Sequence, residues 1–76
     1  MPSWSPCKRR DFIRKLRRVG FSAPEPGGRH FFMRCQHYTL TLPANPEFSV
    51  PQLRMLLREI ERGTGIRIDP ERWAGL

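Results

Sequence analysis

His30-Phe31-Phe32-Met33-Arg34-Cys35, then Gln36-His37, then Tyr38-Thr39-Leu40-Thr41-Leu42 is the stretch whose reading settles the fold. In the later segment Tyr38, Leu40 and Leu42 alternate with Thr39 and Thr41, the period of two that a strand imposes on its side chains. In the earlier one Phe31, Met33 and Cys35 fall on one side and His30, Phe32 and Arg34 on the other. Gln36-His37 lies near the tight connection between them, so His37 reads as a turn residue. The apolar sides should face inward, leaving His30, Phe32, Arg34, Thr39 and Thr41 on an open side of the sheet.

Working outward, Phe21 to Ala23 starts another short strand, cut off by Pro24 and Pro26, which cannot donate to a ladder. Gly27-Gly28 makes the turn back into His30. Upstream, Ser5 caps a helix with Pro6 at its first position. Phe12, Ile13, Leu16 and Val19 recur on one face of that helix, and Gly20 stops it with Phe21 folded back. Downstream, Pro43 to Glu47 is a loop. Ser49 caps a second helix with Gln52 as its capping-box partner, and Phe48 and Leu53 form a hydrophobic staple. Leu53, Leu56, Leu57 and Ile60 form the core stripe of this helix, which is predicted to end at Gly63. Asp69-Pro70 caps a last short turn and Trp73 returns to the core. The expected architecture is α+β, in the order α-β-β-β-α, with a three-stranded antiparallel sheet and both helices on one face.

Seventy-six residues make a single domain, residues 1–76, which at this size buries only about 60% of its unfolded surface. No apolar run approaches the roughly 18 residues a bilayer span needs. Met1-Pro2-Ser3-Trp4 leads into basic residues without an apolar region, unlike a secretory signal. The expected location is the cytoplasm, with no membrane partner. Cys7 and Cys35 are then reduced, partly buried thiols. Together with His30 and His37 they match no zinc spacing, so neither a metal nor a cofactor is expected.

The net charge is +7. From residue 45 onward Arg54, Arg58, Arg62, Arg67 and Arg72 are cancelled by Glu47, Glu59, Glu61, Asp69 and Glu71, so the excess lies in the first 44 residues. On the first helix Lys8, Arg9, Arg10, Arg14, Lys15, Arg17 and Arg18 are diluted only by Asp11. A mixed-charge face would read as plain solvation. One-signed crowding repels itself and suits a polyanion, nucleic acid first and an acidic protein second.

No P-loop, nucleophile elbow or carboxylate pair is present. The constellation that stands out is Gly27-Gly28-Arg29-His30, a histidine at a strand mouth beside backbone that can approach a phosphate. An imidazole titrates near pH ~6.5 and can take a proton from a ribose 2′-hydroxyl. On spacing alone, a histidine at a strand start is more often a hydrogen-bonding surface residue.

Several segments, in order, resemble the HicA family of toxins. They are the basic first helix closing in Val19-Gly20-Phe21; Gly28-Arg29-His30 before Phe31-Phe32-Met33-Arg34; Thr39-Leu40-Thr41-Leu42-Pro43; Glu47 to Leu57; and Thr64-Gly65-Ile66 followed by Asp69-Pro70-Glu71-Arg72-Trp73. Arg29 stands where that family carries a small serine, and Pro24 and Pro26 fall in its first strand. The resemblance spans roughly residues 8 to 73. It implies a double-stranded-RNA-binding-like (dsRBD-like) fold and a metal-independent endoribonuclease that cleaves mRNA with one catalytic histidine, here His30. It also implies a HicB-type antitoxin as partner. On that expectation Arg29 and Arg34 hold the scissile phosphate, while Lys8, Arg10, Arg14, Lys15 and Arg18 grip the RNA backbone. The antitoxin would cover His30, Phe32 and Arg34. The alternatives are a non-catalytic RNA-binding module of the same fold and a protein-interaction domain that binds an acidic partner.

Overall fold

The 30–42 alternation produces the hairpin it predicts. In the computed structural model, which describes residues 3–76, β3 (His30–Cys35) pairs antiparallel with β4 (Tyr38–Leu42), Met33 opposite Leu40 and Cys35 opposite Tyr38. Met1 and Pro2, the start of the stretch read as non-secretory, lie outside those residues. Met33, Cys35, Leu40 and Leu42 are buried, whereas Arg34, Thr39 and Thr41 are exposed. Gln36 and His37 form the two-residue connection, and Gln36 adopts a left-handed φ of 57°. A side chain in that region costs roughly 1–2 kcal/mol. Gln36→Gly should therefore raise stability by about 0.5–1 kcal/mol in urea denaturation, once glycine's greater unfolded-state freedom is allowed for.

The third strand of this sheet lies later than expected. It is β2 (Glu25–Gly27), not Phe21 to Ala23, and it pairs antiparallel with β3. Pro26 is accommodated because β2 is an edge strand. Ser22 still holds β3 without being part of a strand: its N–H donates to the Arg34 carbonyl (2.8 Å) and its Oγ accepts from the Arg34 N–H (3.2 Å).

The first helix also starts later than Ser5-Pro6 suggests. Cys7–Lys8 is a short strand, β1, paired with β5 (Glu47–Phe48), part of which was read as loop. The Arg9 N–H donates to the Pro46 carbonyl at 2.9 Å, and α1 (Arg9–Val19) begins there without a side-chain cap. A tertiary pairing that buries Cys7 and Phe48 thus displaces the local capping signal. At the other end Gly20 and Phe21 both donate to the Leu16 carbonyl, and Phe21 folds back as expected.

α2 (Val50–Thr64) has the predicted start, with Ser49 Oγ accepting from the Gln52 N–H at 3.3 Å. The Gln52 side chain does not complete the capping box; it pairs with the Asn45 amide instead. The helix stops at Gly65, whose φ of 80° is left-handed, rather than at Gly63. Gly63 serves another purpose: a Cβ there would lie 2.2 Å from the Tyr38 ring, so its absence admits the tyrosine. α3 (Pro70–Ala74) is capped by Asp69, whose Oδ1 accepts from the Arg72 N–H at 2.8 Å.

The core joins Phe12 and Leu16 of α1 with Leu53, Leu56, Leu57 and Ile60 of α2 against Met33, Leu40 and Leu42. Both long helices therefore cover one face of the three-stranded sheet, in the expected α+β arrangement. Phe12 is its centre, edge-on to Phe48 (5.2 Å between centroids) and 5.5 Å from Trp73. Cys7 and Cys35 are free and buried. Burial pushes the Cys7 thiol up from its ordinary range, which keeps it protonated and unreactive at neutral pH. No helix among the described residues is long and apolar enough to cross a membrane.

Candidate functional site

The β2–β3 connection fixes the placement of His30. Gly27 pairs with His30, so Gly28 and Arg29 form a two-residue turn in which Gly28 takes a φ of 72°. Arg29 and His30 are both exposed. His30 is the first residue of β3 and shares the open face with Phe32, Arg34, Thr39 and Thr41, the set predicted from alternation.

Two further features of this face come from β2. Glu25 lies opposite Phe32, and its carboxylate accepts from Arg34 Nε at 3.2 Å. Arg34 is thus half-neutralised; the pair is exposed and worth about 0–1 kcal/mol. Gly27 is the other. A Cβ there would meet the Phe32 ring at 2.0 Å, so the ring occupies the space a side chain would fill, directly across from His30. Glycine here makes the seat of an aromatic ring. Both features depend on β2 lying at Glu25–Gly27, not at Phe21 to Ala23.

The cations of α1, with Lys8 of β1 just before it, divide into three groups. Arg10, Arg14 and Arg17 recur at i, i+4 and i+7 and form one exposed stripe, with Arg18 beside it. Because Phe12 and Leu16 point into the core, this stripe faces away from the sheet. At the start of the helix Lys8, Arg9 and Arg10 line a groove with Ala44, Pro46 and Glu47. The Arg9 guanidinium there stands 5.2 Å from the centroid of Phe31, the residue after His30. Lys15 is turned inward: its Nζ donates to the Trp73 carbonyl at 2.7 Å and lies 4.7 Å from the Trp73 ring centroid. Arg14 reaches the Leu76 carbonyl at 3.4 Å and Asp11 at 4.0 Å, both in exposed positions.

The residues predicted for catalysis, RNA binding and partner binding are therefore not one surface. His30, Phe32 and Arg34 lie on the open sheet face, and Arg10, Arg14 and Arg18 lie on the far side of α1. Lys8, Arg9 and Arg10 line the groove at the start of α1, where Arg9 comes next to the His30 end over Phe31. Lys15 is held by α3. Arg9 and Arg17 add to the predicted set: the i, i+4, i+7 spacing with Arg10 and Arg14 marks Arg17, whereas Arg9 is placed only by the fold.

No family model, curated protein or solved structure matches this chain. Its reading therefore rests on the residues and their placement. Among the described residues, no three His, Cys, Asp or Glu side chains gather into a metal-binding group.

Proposed function

We propose that the protein is an RNA-cleaving toxin of the HicA type, with His30 as general base. The observation that carries this reading is His30 at the mouth of β3, exposed immediately after the Gly28–Arg29 turn. A phosphate could sit between the Arg29 guanidinium and the imidazole there. The resemblance in motif order and the uncancelled charge of the first 44 residues support it. In the proposed reaction the imidazole takes the proton of a ribose 2′-hydroxyl, and O2′ bonds to the adjacent phosphorus. The P–O5′ bond then breaks, O5′ takes a proton from solvent, and a 2′,3′-cyclic phosphate is left beside a 5′-hydroxyl end. Arg29 stabilises the charge on the phosphorane. A HicB-type partner with an acidic surface, seated over His30, Phe32 and Arg34, would shut off this base and meet the cations around it. The deciding experiment is incubation of purified protein with an mRNA transcript in the presence of a chelator, with the chemistry of the new ends determined. Absence of cleavage, or ends bearing 5′-phosphates, would refute the reading.

The helix cations serve affinity rather than chemistry. Neutralising Arg10, Arg14 and Arg17 together should flatten the log–log dependence of RNA affinity on salt by about 2–3, close to one counterion per lost phosphate contact. Lys15→Met should leave that slope unchanged and instead cost about 1–2 kcal/mol of stability, because it removes a charge-assisted hydrogen bond and a cation–π contact. Titrations across salt concentrations, paired with urea denaturation, distinguish the two.

A further inference from the structure

The division of the cations between two surfaces bears on what kind of RNA this protein can take. The open sheet face and the α1 stripe look in opposite directions from a body with principal extents of 38 × 25 × 18 Å. A stiff duplex laid along α1 leaves the sheet face untouched, and one laid on the sheet leaves Arg14 and Arg17 without phosphates. A flexible single strand can turn from one to the other past Arg9, which stands over Phe31 beside His30 and, with Lys8 and Arg10, lines a groove at the start of α1.

Phe32 provides the second observation. It is half-buried on a face that is otherwise polar, and its ring is seated in the gap left by Gly27, directly across from His30. Its two cross-strand neighbours are Glu25 on one side and Thr41 on the other, a carboxylate and a hydroxyl that can meet the edge of a planar heterocycle. A duplex cannot use such a platform, because its bases are stacked internally and its deep major groove is closed to side chains. Unpaired bases stack on aromatic side chains readily. The cleavage chemistry points the same way, since O2′ must swing into line with the departing O5′, a geometry the regular A-form helix withholds.

We infer that the open sheet face binds an unpaired nucleobase of single-stranded RNA stacked on Phe32, so that the adjoining ribose is presented to His30. The inference rests on the RNA-cleaving reading for its context, but it concerns binding and can fail separately.

The test uses full-length protein carrying His30→Ala, so that RNA stays intact, and a single-stranded oligoribonucleotide containing 2-aminopurine, with the same strand in a perfect duplex for comparison. Binding should quench the 2-aminopurine fluorescence, and the single strand should bind more tightly than the duplex. In the same background Phe32→Ala should weaken single-strand binding about 5- to 100-fold and abolish the quench, while Phe32→Tyr should retain both. Gly27→Ala, which displaces the ring without removing it, should also reduce the quench. Equal affinity for duplex, or a quench that survives Phe32→Ala, would overturn the stacking site while leaving an RNA-binding protein in place. No binding to either RNA, with Phe32 shielded only in a complex with an acidic protein partner, would overturn both readings.

Discussion

Replacing His30 with alanine is expected to lower RNA cleavage by about 10²- to 10⁴-fold, the usual contribution of a general base, and to relieve growth inhibition in cells. The fold should survive. His30 is an exposed residue at the start of β3 and contributes nothing to the buried core, so its truncation should change stability by no more than about 0.5 kcal/mol. Cleavage rate and urea midpoint should therefore separate: the first collapses and the second stays. His37→Ala is the control. It removes the chain's other imidazole from the exposed connection at the opposite end of the strand, and both rate and midpoint should stay near wild type. A folded His30→Ala protein that cleaves at the wild-type rate would remove the proposed chemistry altogether.

Phe12→Ala should have the largest effect on stability. Phe12 is fully buried and is the side chain on which three parts of the molecule meet: α1 itself, Phe48 of the small β1–β5 pair and Trp73 of α3. Truncating a buried phenylalanine costs about 3–5 kcal/mol in lost transfer energy and residual cavity. A domain of this length has a total stability on the order of 4–11 kcal/mol, so the substitution should remove a large share of it, and the urea midpoint should fall accordingly. Phe31→Ala offers the contrast. That ring is 40% exposed under Arg9, and its loss should cost far less. A Phe12→Ala midpoint close to wild type would mean that α1 and α3 do not close over one core.

Local patterning was sufficient wherever a signal repeats or a cap is self-contained. Alternation over residues 30–42 placed the hairpin and sorted Met33, Cys35, Leu40 and Leu42 into the core, but not Phe31, which stays 40% exposed near the start of the strand while Phe32 on the open face is half-buried. The apolar stripe from Leu53 to Ile60, Ser49 and the Asp69 cap were legible because they depend on near neighbours in the chain. The position of His30 at a strand mouth after a glycine turn was legible for the same reason.

What local patterning missed depended on contacts across the fold. Two-residue strands such as β1 and β5 carry no periodicity, so their pairing, and with it the true start of α1, is decided only when Cys7 and Phe48 are buried together. The placement of β2 required knowing that it is an edge strand, where Pro26 costs little. α2 runs past Gly63 because the left-handed stop is Gly65, whose N–H donates to the Glu61 carbonyl, while Gly63 leaves room for the Tyr38 ring. Charge on a helix is visible in its residues, but which cations face water is set by what else packs against them. Lys15 is spent on the Trp73 carbonyl, and Arg14, Arg17 and Arg18 face away from the sheet because Phe12 and Leu16 must face it, while Arg9 stays over Phe31. Composition was thus enough to place the excess positive charge in the first 44 residues, whereas only the packing of α1 divided the basic residues between two surfaces.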